Sequence, residues 1–263
     1  MNGPIAQAAA LAVYGNEYLR GSVWSAFWPS ANVFKYCKYV HFLDGGETLA
    51  DPPAWFAALK ASGVSGLRLH HVAGKQAIGS DRELAGFVGG GGRWLIEAIA
   101  PQASAIWEAG WRVAPKDEHG SIWEVEYRCI APHSPRPPHQ DVDRDALRAR
   151  LRSTLSQIAA FATQQKLDWF ATAFENARRK LENDAPLSEA WGGDFAHATL
   201  PLAGQQLLGA AAAAWVFGGM GSWNDQGFES KADDAEYKRL SDQLWVELCD
   251  SVCAAANSPV PAG

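Results

Sequence analysis

Three stretches set the architecture: Arg93-Trp-Leu-Ile-Glu-Ala-Ile-Ala100, Ser104-Ala-Ile-Trp-Glu-Ala-Gly-Trp-Arg-Val-Ala114 and Ser121-Ile-Trp-Glu-Val-Glu-Tyr-Arg-Cys-Ile130. In each, apolar and polar residues alternate with a period of two, the pattern of a half-buried strand. One face collects Trp94, Ile96, Ala98, Trp107, Ala109, Trp111, Val113, Trp123, Val125, Tyr127 and Cys129. The other collects Glu97, Glu108, Arg112, Glu124, Glu126 and Arg128. Pro101-Gln102 and residues 115–120 supply turns. The simplest topology is an antiparallel meander with one apolar face and one wet face that leans acidic.

Toward the N-terminus, residues 4–19 read as a buried helix and residues 34–43 as a strand that ends at the turn Asp44-Gly45-Gly46. Asp51 reads as an N-cap, Pro52 as the first helical residue and Gly63 as the C-terminal cap of a helix striped by Trp55, Phe56 and Leu59. Residues 66–72 follow as a short strand. Ser80 and Glu83 have the spacing of a capping box for a short helix ending near Val88, and residues 89–92 form a four-glycine hinge.

Toward the C-terminus the rhythm changes. From Asp143 to Asn257 apolar residues recur every three or four positions, which predicts amphipathic helices. Leu147, Leu151, Leu155, Ile158 and Ala162 stripe one helix, and Leu167, Phe170, Phe174, Ala177 and Leu181 the next. The alanine-rich residues 201–216 make a third, and Tyr237, Leu240, Leu244, Leu248 and Val252 a fourth, together a bundle. The proline-rich stretch Ala131-Pro-His-Ser-Pro-Arg-Pro-Pro-His139 joins the two halves. The expected fold is therefore α+β. An antiparallel sheet with flanking helices occupies residues 1–131, and a helical bundle packed on it occupies residues 140–258. The linker is short enough for the halves to form one unit.

The chain has 263 residues, 48 % hydrophobic and 20 % charged, an ordinary globular composition with room for a sizeable core. Its twelve tryptophans, each able to bury about 150–250 Å2, make that core aromatic. A net charge of −6 argues against a nucleic-acid partner, which needs a dense basic face, and is compatible with a basic protein partner. Cys37, Cys129, Cys249 and Cys253 contain no CxxC pair and read as free thiols of a reducing compartment. No Lys or Arg precedes Arg20, so the positive start of a signal peptide is missing. Residues 195–223 carry no Asp, Glu, Lys or Arg, yet alanine dominates and Gln205 and Gln206 interrupt them. Their flanks, Asp194 and Asp225, are acidic and unanchored by basic residues, so they read as a buried helix, not a membrane span. A cytoplasmic protein with no membrane partner is expected.

No motif carries chemistry by itself. His70-His71 offers a general base, but neighbours on a strand point to opposite faces. Asp117-Glu118-His119 sits in a turn without a second ligand cluster, and Cys249 with Cys253 lacks further ligands, so neither metal nor cofactor is expected. The glycines at 89–92 precede a strand and no Gly-Lys-Ser/Thr follows, which excludes a phosphate loop. Ser25, Ser65 and Ser222 lack a nucleophile-elbow context, and no Cys has a base beside it. Two features remain. The carboxylates Glu97, Glu108, Glu124 and Glu126 are candidates for docking a basic partner. The loop Gly218-Gly-Met-Gly-Ser-Trp-Asn-Asp225 places Trp223 as an internal plug or a surface anchor, with Asn224 and Asp225 beside it.

The segment Ala214-Trp-Val-Phe-Gly-Gly-Met-Gly-Ser-Trp-Asn-Asp225, with the acidic helix ending Ala254-Ala-Ala-Asn257, resembles segments of small bacterial toxin-immunity proteins. The likeness covers about the last 50 residues and brings no catalytic residue with it. It implies a non-enzymatic cytosolic inhibitor that occludes an antibacterial toxin; the sheet face and the loop read above make Glu97, Glu108, Glu124, Glu126, Trp223, Asn224 and Asp225 the expected contact residues. The alternative is a small-molecule enzyme or binder that uses a Trp-lined pocket with His70 or His71 as base. Membrane insertion by residues 195–223 is a third.

Overall fold

The computed structural model describes residues 3–22, 27–74, 79–115, 120–135, 142–183 and 187–259. The N-terminal half holds α1 (Gly3–Leu19), β1 (Cys37–Asp44), β2 (Glu47–Leu49), α2 (Pro52–Ala61), β3 (Gly66–Val72) and α3 (Asp81–Leu84). It continues with β4 (Arg93–Ile99), β5 (Ser104–Val113) and β6 (Trp123–Ser134). The helices α4 (Arg144–Gln164), α5 (Asp168–Lys180), α6 (Leu202–Ala213) and α7 (Lys231–Ala256) follow. The chain is α+β, with the helices of its second half C-terminal to the sheet.

The six strands lie in the order β2-β1-β6-β5-β4-β3. The expected meander is β4-β5-β6, with Ile96 opposite Trp107 and Trp111 opposite Val125. The sheet as a whole is mixed, not antiparallel, because β1 runs parallel to β6 with Phe42 opposite Tyr127. A parallel neighbour needs a long crossover, and here the whole stretch from β2 to β5 intervenes; alternation within a strand carries no trace of such pairing. The strand β6 also runs on to Ser134, so the first part of the proline-rich stretch belongs to the sheet.

Local chemistry explains the element ends. Asp51 Oδ1 accepts a hydrogen bond from the Ala54 amide at 2.8 Å, with Pro52 opening α2 and Gly63 at a φ of +77° beyond its end. Ser80 and Glu83 form the expected capping box, although α3 stops at Leu84.

The tryptophan-bearing face of the sheet is covered by α1, α2 and α7. Phe42 stacks on Trp55 at 4.2 Å and on Tyr127 at 5.1 Å, and Trp107 meets Trp55 edge-on at 5.4 Å. From Ile5 to Glu17 every residue of α1 is buried, as expected of a helix apolar on all sides. The last helix, α7, packs on β3 and also on α4 and α6, so buried residues of both halves form one cluster from Ile5 to Ala256. No helix among the described residues is long and apolar enough to cross a membrane.

The outer edge of β3 is sealed by two asparagines. Asn16 of α1 accepts from the Leu67 amide at 2.7 Å and donates to the Leu67 carbonyl at 2.8 Å. Asn257, at the end of α7, does the same to Leu69 at 2.7 and 2.9 Å. Each side-chain amide imitates a neighbouring strand, so backbone groups that would otherwise invite another chain are satisfied.

Candidate functional site

The open face of the sheet does not form an acidic patch. Arg93 bonds Glu108 through two nitrogens at 2.6 and 2.7 Å. Glu126 is held between Arg112, at 2.8 Å, and Arg128. Glu124 lies opposite Arg112, and Glu97 opposite Arg68. Every carboxylate named from the sequence thus has an arginine as a neighbour, and the face is close to neutral. Glu97 departs furthest from expectation: it has no exposed surface. It sits at the centre of β4, accepting from Ser104 Oγ at 2.6 Å and from His70 Nε2 at 2.8 Å. Burial raises its pKa, but the bonds to His70 and Ser104, with Arg68 nearby, outweigh burial and hold the carboxylate below the usual range. Glu97 is an internal anchor and offers nothing to a partner.

The loop at residues 218–225 is also organised inward at its centre. Trp223 is fully buried, donates from Nε1 to Ser241 Oγ at 2.7 Å, and packs against Phe170, Phe174 and Tyr237. It is the plug, not a surface anchor. Asn224 is locked to Arg82, accepting from Nη1 at 2.9 Å and donating to its carbonyl oxygen at 2.8 Å. Arg82 is itself held by Asp242 at 2.8 Å and lies over the Tyr237 ring. Asp225 is exposed and accepts from the Gly221 amide. Trp223 and Asn224 therefore position the loop and do not form its contact surface.

What they position is a cleft of about 380 Å3. Trp111 and Trp123 form one wall, edge to face at 5.8 Å. The start of α1 at Gly3 and Pro4, the residues Ala85, Gly86 and Val88 after α3, and Phe217, Gly218 and Gly219 complete it. The loops touch so closely that a Cβ on Gly86 would stand 2.5 Å from the Gly218 carbonyl carbon. The segments that line the cleft also carry exposed apolar side chains. Val88 is half exposed, Phe87 beside it is 65 % exposed, and Met220, next to Gly219, is fully exposed. Val113, on the same face as Trp111 and opposite Trp123, is 72 % exposed. Exposed apolar side chains gathered near an open aromatic wall are the kind of feature that marks interaction surfaces.

The two histidines serve different faces, as their adjacency predicts. His70 joins Glu97 on the open face; His71 lies on the tryptophan side, 4.7 Å from Trp94, with Nε2 3.1 Å from the Gly91 carbonyl. Burial lowers the pKa of His71. Neither lines the cleft, so pocket and base are not brought together. Trp94 and Trp107 fill the sheet interior; of the four sheet tryptophans, only Trp111 and Trp123 border the cleft. Burial pushes the thiols of Cys37 and Cys129 up to about 11, away from a nucleophilic thiolate. Ser65 bonds the Ile99 carbonyl and Ser222 caps the turn at Asn224. Asp117-Glu118-His119 and Ser25 lie outside the described residues. Among the described residues, no group of three or more His, Cys, Asp and Glu converges as a metal site.

Sequence reasoning allowed a Trp-lined pocket but missed how this cleft is assembled, because its parts come from five separate segments. One signal was present: Gly86, where a side chain would collide with the Gly218 backbone, is a glycine whose role is close backbone approach. No family model, no curated protein and no solved structure matches the chain.

Proposed function

We propose that this chain is a non-enzymatic binding protein of the toxin-immunity kind, which occludes a partner protein by docking at the Trp111–Trp123 cleft. The observation that carries this reading is an open two-tryptophan wall whose lining segments also expose apolar side chains, Val88 in the lining itself and Phe87, Val113 and Met220 beside lining residues. The segment that resembles immunity proteins supports it too, since Phe217, Gly218 and Gly219 belong to that segment and line the cleft. The partner would insert an apolar or aromatic side chain against Trp111 and Trp123, where desolvated aromatic anchors contribute most of an interface's energy. Charge attraction by the sheet face is a small part of this reading, because the glutamates there have arginine neighbours.

Affinity capture with tagged protein from lysate of the cells that encode it tests the proposal. The native chain should retain one stoichiometric partner. Val88→Glu with Met220→Glu should weaken that binding at least about 30-fold, since a charge would be buried at the anchor. Equal capture by both proteins would overturn the cleft as the docking surface. A second reading, acid–base chemistry on a small molecule, rests on the His70–Glu97–Ser104 chain. It predicts that a thermal-shift screen of small metabolites finds stabilising ligands whose effect is lost in His70→Ala; no such ligand would remove it.

A further inference from the structure

A second groove lies on the bundle, between α5, the residues around Glu189 and α6. The outward stripe of α5 consists of Trp169, Thr172, Asn176 and Arg179, at helical spacing, and Asn183 continues it beyond the last turn. These residues border a groove of about 640 Å3. Its neighbour of about 190 Å3 shares Lys180, Glu189 and Ala213 with it and adds Trp191 and Gly209. The groove exists because α6 presents only Gly209, Ala212 and Ala213 on this side, side chains too small to fill the space beside α5. At one end Trp169 is 69 % exposed, an unusual position for an indole on an otherwise polar helix surface.

At the other end three cations, Arg178, Arg179 and Lys180, stand among three carboxylates, Glu175, Glu182 and Glu189, and the cations are not equally engaged. Arg178 pairs with Glu175 and Glu182, both at 3.0 Å, and Lys180 with Glu189 at 2.7 Å. Arg179 pairs with no carboxylate among the described residues; its guanidinium donates to Asn176 Oδ1, and both residues border the groove. A guanidinium fixed by one neighbour and short of an anion is preorganised for a carboxylate. Trp169 and Arg179 are ten residues apart on one helix, which separates the indole and the cation by about 15 Å.

We propose that this groove binds an acidic segment of a protein partner, with an apolar side chain on Trp169 and a carboxylate on Arg179. Extended chain covers that distance in about five residues. The site is independent of the Trp111–Trp123 cleft, so failure of either proposal leaves the other standing.

The test uses the full chain labelled with 15N and the peptide Ac-Phe-Ser-Gly-Ser-Glu-NH2, beside its Gln counterpart. The indole N–H signal of Trp169, assigned from Trp169→Phe, is followed during titration. The Glu peptide should move that signal saturably and bind about tenfold more tightly than the Gln peptide. The Arg179→Gln variant should bind both peptides equally, and added salt should weaken the Glu peptide alone. The unmoved indole signals of the buried tryptophans report that each variant is folded. A Trp169 signal that stays in place at millimolar peptide, or equal binding of the two peptides to the native chain, overturns the proposal. So does self-association of the chain that Trp169→Ala abolishes, since a second copy would then be the occupant.

Discussion

Trp223 and Glu97 were both candidates for contact with a partner, and both turn inward. A tryptophan after three glycines reads equally as plug or anchor, because sequence does not say which side of a loop faces the core. The surroundings settle it: two phenylalanines, Tyr237 and the Ser241 hydroxyl enclose the ring. Trp223→Ala should cost about 3–5 kcal/mol, read as a lower denaturant midpoint. Trp223→Phe should cost less, leaving mainly the Ser241 hydroxyl without its donor. Glu97 is buried because it falls at the middle of three paired strands, a position that alternation alone assigns to the wet face. Its pKa is depressed in the folded chain. The stability it contributes is therefore whole above the ordinary Glu value of about 4.3 and is lost as pH falls through the lower folded value. Glu97→Gln should be about 1–3 kcal/mol less stable at neutral pH, and the gap should close below pH of about 4. Urea midpoints measured across that range would show a constant gap if the carboxylate played no such part.

Elements were legible where the signal was local. The cap at Asp51, the capping box at Ser80 and the 3.6-residue stripes of α4, α5 and α7 lie within a few residues of what they specify. The short strand β2 was not legible, since three residues are too few for a period. The parallel pairing of β1 with β6 was not either, because it depends on contacts between segments far apart in the chain. The seal on β3 belongs to the same class. Asn16 and Asn257 look like surface polar residues until α1 and α7 are laid along the strand edge. Asn257→Leu should leave the Leu69 amide and carbonyl without partners, at a cost of about 1–3 kcal/mol. It should also promote edge-to-edge association, visible as concentration-dependent light scattering. A variant as stable and as monodisperse as the native chain would show that water replaces the asparagine without loss.

In the whole molecule α7 ties the halves together, since it closes the bundle and also caps and covers the sheet. That arrangement brings the loop at residues 217–221 against the ends of β5 and β6, and so creates the cleft. The sequence foretold an apolar and a wet face, with Glu97 the buried exception on the wet one; it did not foretell where the apolar face is left uncovered. Arginines neutralise the wet face, whereas the apolar face runs out of covering helices at Trp111 and Trp123 and remains open there. Hydrogen-exchange mass spectrometry on the chain with and without its captured partner separates the two surfaces in one measurement. Docking at the cleft predicts that amides in residues 84–90, 110–114 and 216–222 gain protection while the open-face strand ends stay unchanged. Protection confined to the segments around Arg93, Glu124 and Arg128, with the cleft residues unaffected, would place the partner on the other side of the sheet and refute the cleft as the binding site.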